Sequence, residues 1–175
     1  MRTNLTSQIT LNRVSTKYYK PENAVERSVL TRFEKVPTDI YESVDEGVAH
    51  IANEIAGRIQ DRQREGKFFV IGAGTGASLR PLYAELVRKH KDEGLSFRNV
   101  VIFNLYEYYP LSPESIGSSF SQLKDLFVNQ IDIDKQNVFT IDGSIQQEAV
   151  FEYCRLYEQR LQTFGGMDIV LMGIG

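Results

Sequence analysis

The runs "KFFVIG" and "NVVIFN", each apolar without polar alternation, constrain this chain most. A strand with one face in water alternates apolar and polar residues. Uninterrupted runs therefore imply strands covered on both faces, as in a parallel sheet. Their separation of roughly thirty residues leaves room for one crossover helix, the arrangement of a βαβ unit.

The helix between them is legible in Leu79, Leu82, Tyr83, Leu86 and Val87, which recur at helical spacing, with Pro81 tolerated in the first turn. Upstream, Ser43 and Glu46 form a capping-box pattern. Val44, Val48, Ile51, Ile55 and Ile59 then mark one face of a helix that stops at Gly66. Downstream come a helix around "SFSQLKDLFVNQ", a short strand "NVFTI", a helix "QQEAVFEYCRLYEQRLQTF" behind Ser144 and an apolar strand "MDIVLMGIG". This alternation predicts an α/β fold: a Rossmann-like open, mostly parallel sheet with helices on both faces. Residues 41–175 are assigned to that domain. Residues 1–40 are polar, without a sustained period, and read as an N-terminal extension with one short helix in "AVERSVLTRFEKVP" before Pro37.

Charge and cysteine content narrow the function classes. Twenty Lys and Arg against twenty-three Asp and Glu give a net charge of -3, without the basic excess that phosphate-backbone neutralisation requires, so no nucleic-acid partner is expected. No apolar run approaches the ~20 residues that span a bilayer, and "MRTNLTSQITLNR" lacks the apolar core of a secretory signal. The single cysteine, Cys154, cannot form an intramolecular disulfide, which points to a cytoplasmic protein. The sequon Asn4-Leu5-Thr6 matters only in a secreted protein and is set aside. Two histidines and one cysteine do not make a metal cluster, so no metal is expected. His90, in the polar "RKHKDE", reads as a solvated helix-end residue, and Cys154 as a small core residue.

In open α/β sheets ligands sit beyond the carboxyl ends of the strands, where "GAGTGAS" falls after the first run. Gly74 and Gly76 would let backbone N–H groups approach an anion, and the Thr75 and Ser78 hydroxyls could donate to phosphate oxygens. The plainer reading is a tight strand-to-helix turn with Ser78 as its N-cap. A Walker A loop is excluded because Ser78 is followed by Leu79 and not preceded by Lys. A dinucleotide fingerprint survives loosely in Gly72, Gly74 and Ala77, with Glu93 as the acid roughly twenty residues on, so a nicotinamide-binding domain is a minor alternative.

"FNLYEYYP" should emerge at the same sheet edge, bringing Asn104, Tyr106, Glu107 and Tyr108 near the turn. A carboxylate partly desolvated by aromatics could have a raised pKa and transfer protons. The competing reading makes Tyr106, Tyr108 and Tyr109 an aromatic cluster under the loop, with Glu107 paired to a basic neighbour.

Four stretches together, "GAGTGASLRPLY", "FNLYEY", "SSFSQLKDLFVNQIDI" and "YEQRLQTFGGMDIVLMGIG", resemble the glucosamine-6-phosphate deaminase/isomerase family, which has sugar-phosphate lactonase relatives. In order and spacing they cover roughly Tyr41 to Gly175. The resemblance implies a Rossmann-like fold and a small-molecule partner, an amino-sugar 6-phosphate. It is converted to a ketose 6-phosphate and ammonia by proton transfer without cofactor or metal. It also implies that Gly74, Thr75, Gly76, Ala77 and Ser78 hold the phosphate and that Tyr106 and Glu107 occupy catalytic positions. The family motif reads Phe-Asn-x-Asp-Glu-Tyr, so Tyr106 stands where the family has aspartate, and a phenol is a poor base at neutral pH. Family members continue beyond the point matching Gly175 into a Gly-His-Ile-Ala-Phe-Asn-Glu-like loop. The chain is therefore expected to be the N-terminal part of a longer polypeptide, truncated on the C-terminal side of the sheet and nearly inactive alone. A non-catalytic sugar-phosphate-binding or regulatory module and a 6-phosphogluconolactonase-like hydrolase are the alternatives, and a homo-oligomer is left open.

Overall fold

A computed structural model describes residues 23–32, 36 and 38–173. The sequon at Asn4, Pro37 and Gly175 lie outside the described residues. The chain divides into two compact units, residues 1–42 and 43–175. In the first, helix α1 (Ala24–Thr31) is capped by Asn23, whose Oδ1 accepts from the N–H of Val25 and of Glu26.

The second unit runs α2 (Val44–Arg64), β1 (Phe69–Ala73), α3 (Arg80–Glu93), β2 (Val100–Asn104), α4 (Ser119–Leu126), β3 (Val138–Phe139), α5 (Val150–Thr163) and β4 (Ile169–Leu171). The four strands form one parallel sheet in the order β3-β2-β1-β4. The apolar runs behave as their composition requires: every residue of β1 and β2 is buried. Side chains alternate between faces. Phe69, Ile71, Val100 and Ile102 join Ala52, Ile55, Ile59, Leu82, Tyr83 and Leu86 of α2 and α3 on one side. Val70, Val101 and Phe103 meet Tyr157, Leu161 and Phe164 from α5 and its end on the other. Helices thus cover both faces.

Ser43 caps α2 as its sequence indicates, with its Oγ accepting from the Glu46 N–H at 3.1 Å. The buried face is rotated from the expected one: Ala52, Ile55 and Ile59 are buried, whereas Val44 and Ile51 are exposed, at 68% and 38%. The small Ala52 is buried in the core, and the partly buried Ala56 packs against it. Three other elements are shorter than expected. Helix α4 gives way after Leu126 to a 3₁₀ turn, Val128–Gln130. β3 keeps only Val138 and Phe139 of "NVFTI", and β4 only Ile169–Leu171.

Two acids of the family-resembling stretches, Asp132 and Asp168, hold strands in place. The Asp168 carboxylate accepts from the Val70 N–H at 2.8 Å and from Arg62, while its own N–H donates to Val70 C=O at 2.9 Å, fastening the start of β4 to β1. Asp132 accepts from the Phe97 N–H at 2.6 Å and the Ser96 hydroxyl at 2.8 Å, fixing the approach to β2. His90 is not solvated as expected: Nδ1 lies 2.7 Å from Leu95 O, and the ring packs edge-on against Phe97. Cys154 is exposed on α5, not in the core, because α5 turns Tyr157 and Leu161 toward the sheet instead. Among the described residues no helix is long and apolar enough to cross a membrane, and no cluster of His, Cys, Asp and Glu could hold a metal ion.

Candidate functional site

The sheet order reverses at β1, with β2 and β3 on one side and β4 on the other, and in open α/β sheets ligands bind beyond the carboxyl ends of the strands at such a point. The chain leaving β1 is held tightly there. The Gly74 N–H donates to Leu171 C=O at 3.0 Å, and a Cβ on Gly74 would lie 2.9 Å from that same oxygen, which requires glycine. The Gly74 C=O accepts from the buried Tyr83 hydroxyl at 2.6 Å. Burial, with a smaller contribution from Tyr106, pushes the Tyr83 phenol well above its ordinary range, so it remains a protonated donor.

Gly76, at φ +148°, starts a 3₁₀ turn, Ala77–Leu79, that runs directly into α3. The first N–H groups of a helical segment have no acceptor within it and carry a positive partial charge. Gly76, Ala77 and Ser78 are exposed, and Gly173 after β4 lies close against them: a Cβ there would fall 2.7 Å from Ser78 Oγ. Ser78 is not the N-cap expected as the plainer reading, since the turn begins at Gly76 and no side chain caps either the turn or α3. Gly72, the first glycine of the loose dinucleotide pattern, is buried within β1, where Met167 Sδ would meet its Cβ at 2.5 Å and Leu105 Cδ2 at 2.9 Å. It makes room for packing and cannot reach a pyrophosphate. Glu93, the acid of that pattern, pairs with Arg88 and Lys89 on α3.

β2 delivers the second set of residues. The Leu105 N–H donates to Ala73 C=O at 3.1 Å, keeping the two strand exits side by side. Asn104 is buried, and its Nδ2 donates to Tyr106 C=O at 3.0 Å. The Tyr106 phenol crosses to the glycine turn: it accepts from the Thr75 N–H at 2.9 Å, donates to Thr75 C=O and lies 3.3 Å from Thr75 Oγ1. Thr75 Oγ1 is in turn 2.9 Å from Ser119 Oγ.

Glu107 points the other way, to the start of α4. Its carboxylate accepts from the Ser118 hydroxyl at 2.6 Å and from the N–H groups of Ser119 at 2.9 Å, Phe120 at 3.1 Å and Tyr108 at 3.0 Å. Burial alone would raise its pKa. The Ser118 hydroxyl and the three N–H donors outweigh that and hold it below the ordinary glutamate value. The expected raised pKa is therefore corrected: the carboxylate is partly desolvated but engaged by four donors. The competing reading also fails, because among the described residues Glu107 has no basic partner and Tyr108 and Tyr109 are exposed rather than clustered. Ser118 is the N-cap of α4, accepting from the Ser121 N–H at 3.1 Å.

The structure thus brings Thr75, Tyr106 and Glu107 into one network through Ser119, with Gly76, Ala77 and Ser78 left facing solvent at its edge. Ser118 and Ser119, both fully buried, were not singled out from the sequence. The signal available was "SSFS" immediately before an amphipathic repeat.

Residues 42–175 match the profile of the family described as glucosamine-6-phosphate isomerases/6-phosphogluconolactonase. The whole chain is 60% identical to a glucosamine-6-phosphate deaminase-like protein of Bacteroides thetaiotaomicron, covering 26% of that protein. It is 39% identical over 135 residues to a glucosamine-6-phosphate deaminase of Bacillus velezensis, covering 77% of this chain and 52% of the relative. Among solved structures, a monomeric glucosamine-6-phosphate deaminase superposes with a TM-score of 0.70 at 31% identity, over 77% of this chain and 54% of the other. The chain therefore spans from about a quarter to about half the length of these relatives. With an ordered set of motifs, a parallel α/β sheet and matching relatives in agreement, the chain belongs to the glucosamine-6-phosphate isomerase/6-phosphogluconolactonase family.

Proposed function

We propose that this chain forms the phosphate-receiving part of a cytoplasmic enzyme of the glucosamine-6-phosphate deaminase type. Such an enzyme opens an amino-sugar 6-phosphate, transfers a proton from C2 to C1, and releases ammonia as water supplies the ketose oxygen. The observation that carries the reading is the exposed Gly76-Ala77-Ser78 segment, which starts the turn into α3 where the strand order reverses. A phosphate dianion placed there meets N–H donors, the Ser78 hydroxyl and the positive end of a helical segment. Gly74, bonded to Leu171, and Thr75, bonded to Tyr106, fix the chain that leads into this segment. Glu107, assigned a catalytic position by its motif, serves in this reading to hold the start of α4 against the phosphate turn, because its four donors leave little basicity for proton transfer.

The test is an amide-resolved NMR titration. Glucosamine 6-phosphate should shift Gly76, Ala77 and Ser78, while glucosamine should not; equal responses to both would remove the phosphate assignment. A second reading, a sugar-phosphate-binding module without catalysis, is favoured by the Tyr106 phenol standing in the family's aspartate position. It predicts the same shifts with no ammonia released even by the longer polypeptide of which this chain would be the N-terminal part. Ammonia release from the sugar phosphate by that polypeptide would favour the enzyme.

A further inference from the structure

Thr75 is the centre of the glycine turn, yet its polar groups already have partners. Its N–H donates to Tyr106 Oη at 2.9 Å, and its C=O accepts from the same hydroxyl. Its side-chain oxygen lies between Tyr106 Oη, at 3.3 Å, and Ser119 Oγ, at 2.9 Å. A phenol is well suited to this double contact because one oxygen both donates and accepts. A carboxylate in the same place could accept the N–H but would face the carbonyl oxygen with no proton to offer.

We propose that Tyr106 is a positioning residue that clamps the main chain of Thr75. The clamp fixes the shape of the turn and withholds Thr75 from the ligand, so a phosphate monoester is received by Gly76, Ala77 and Ser78 alone. The ligand half of this inference rests on the phosphate assignment above; the clamp itself does not. The geometry supports it from both ends. Tyr106 is anchored by Asn104, whose Nδ2 holds the Tyr106 C=O at 3.0 Å, and by the Leu105 N–H bonded to Ala73. On the other side Thr75 follows Gly74, itself pinned to Leu171 and Tyr83. The phenol therefore spans two fixed strand exits. With its proton directed at Thr75 C=O and a lone pair engaged by Thr75 N–H, it is occupied in the turn and is not assigned a proton-transfer role.

The test compares the chain with Tyr106→Phe, which keeps the ring and removes only the hydroxyl. Hydrogen exchange at the Thr75 amide should speed up by about tenfold, the effect of one hydrogen bond of ordinary strength. The Gly74 amide, bonded to Leu171, should remain protected and so report that the fold is intact. Unchanged Thr75 exchange with Gly74 protected would overturn the clamp. Loss of both would be resolved by repeating the Tyr106→Phe measurement in a stabilising osmolyte that restores Gly74 protection: rapid exchange at Thr75 would then support the clamp, and exchange as slow as in the parent would overturn it. In a titration with glucosamine 6-phosphate, the Thr75 amide of the parent chain should stay in place while Gly76, Ala77 and Ser78 shift, and in Tyr106→Phe it should shift with them. A parent Thr75 amide that shifts as far as the other three would overturn the withholding of Thr75. If none of these amides responds in either protein, the phosphate assignment fails, and the exchange data still decide the clamp.

Discussion

A serine just before an apolar helical repeat usually accepts a hydrogen bond from the helix's first N–H groups, and Ser78 in "TGASLRP" has that appearance. The structure starts the turn two residues earlier, because Gly76 adopts φ +148°, a backbone region that side-chain-bearing residues rarely enter. Ser78 therefore lies inside the 3₁₀ turn with its hydroxyl free of capping duty, near Gly173. Its two roles separate in one substitution. Ser78→Ala should change the free energy of unfolding by no more than about 0.5 kcal/mol, as at an ordinary surface position, where loss of a cap would cost about 1 kcal/mol. The same variant should bind glucosamine 6-phosphate several-fold to about tenfold more weakly, by isothermal titration, through the lost hydroxyl donor. A stability loss with unchanged affinity would return Ser78 to the cap.

At the scale of elements, the loop between β2 and α4 is closed by a single antiparallel bridge, in which the Leu111 N–H donates to Gly143 C=O at 3.0 Å. The backbones approach so closely that a Cβ on Gly143 would fall 2.3 Å from Tyr108 O and 2.5 Å from Leu111 O. Backbone atoms cannot swing aside as a side-chain tip can, so Gly143→Ala must break the bridge or displace the loop. The expected cost is about 1–3 kcal/mol in urea unfolding, the range for overpacking, and Tyr108 and Leu111 amides should exchange faster. Wild-type stability in this variant would show that the bridge has slack. This bridge was not legible from sequence, nor were the roles of Glu107, Asp132 and Asp168, although each falls in a stretch that could be singled out. Their partners are N–H groups of other elements: Asp168 bonds a residue 98 positions away and Asp132 one 35 away, beyond any periodicity. β1 and β2 were legible because burial on both faces leaves an uninterrupted apolar record, whereas β3 and β4 are only partly covered and were overextended. The glycine turn was legible in position and composition. What it bonds to was not, since Tyr106 reaches it from 31 residues away.

For the molecule as a whole, two of these carboxylates, Glu107 and Asp132, make folding acid-sensitive in a direction that can be worked out. Glu107 and Asp132 are held below their ordinary values of 4.5 and 3.8. For each, burial opposes the shift and hydrogen bonds outweigh it: the Ser118 hydroxyl and three N–H groups for Glu107, and for Asp132 the Phe97 N–H and the Ser96 hydroxyl, with His90 adding to them. A carboxylate with a depressed folded-state pKa binds fewer protons folded than unfolded in that window, so its contribution is fully present above the unfolded value and is lost as pH falls through the folded one. Unfolding free energy should thus be insensitive to these two groups from pH 8 down to about 5.5, then decline below about 4.5 as protons pull both toward the unfolded chain. The surface acids Glu85, Glu93 and Glu152, lowered chiefly by Arg88 or Arg155, share that direction, but their exposed ion pairs are screened by salt. Repeating the pH series in about 1 M NaCl should remove most of their part and leave that of Glu107, Asp132 and Asp142, the last lowered by the Ser144 hydroxyl and N–H. In Glu107→Gln the chain should lose about 1–3 kcal/mol at pH 7, because a side-chain amide turned toward four donors cannot satisfy them all, and its decline below pH 4.5 should be shallower than the parent's. Because Glu107, Ser119, Thr75 and Tyr106 form one network, that variant should also speed amide exchange at Thr75. An unchanged acid slope in Glu107→Gln would mean that the carboxylate does not hold the start of α4 in solution, and the network would then end at Ser119.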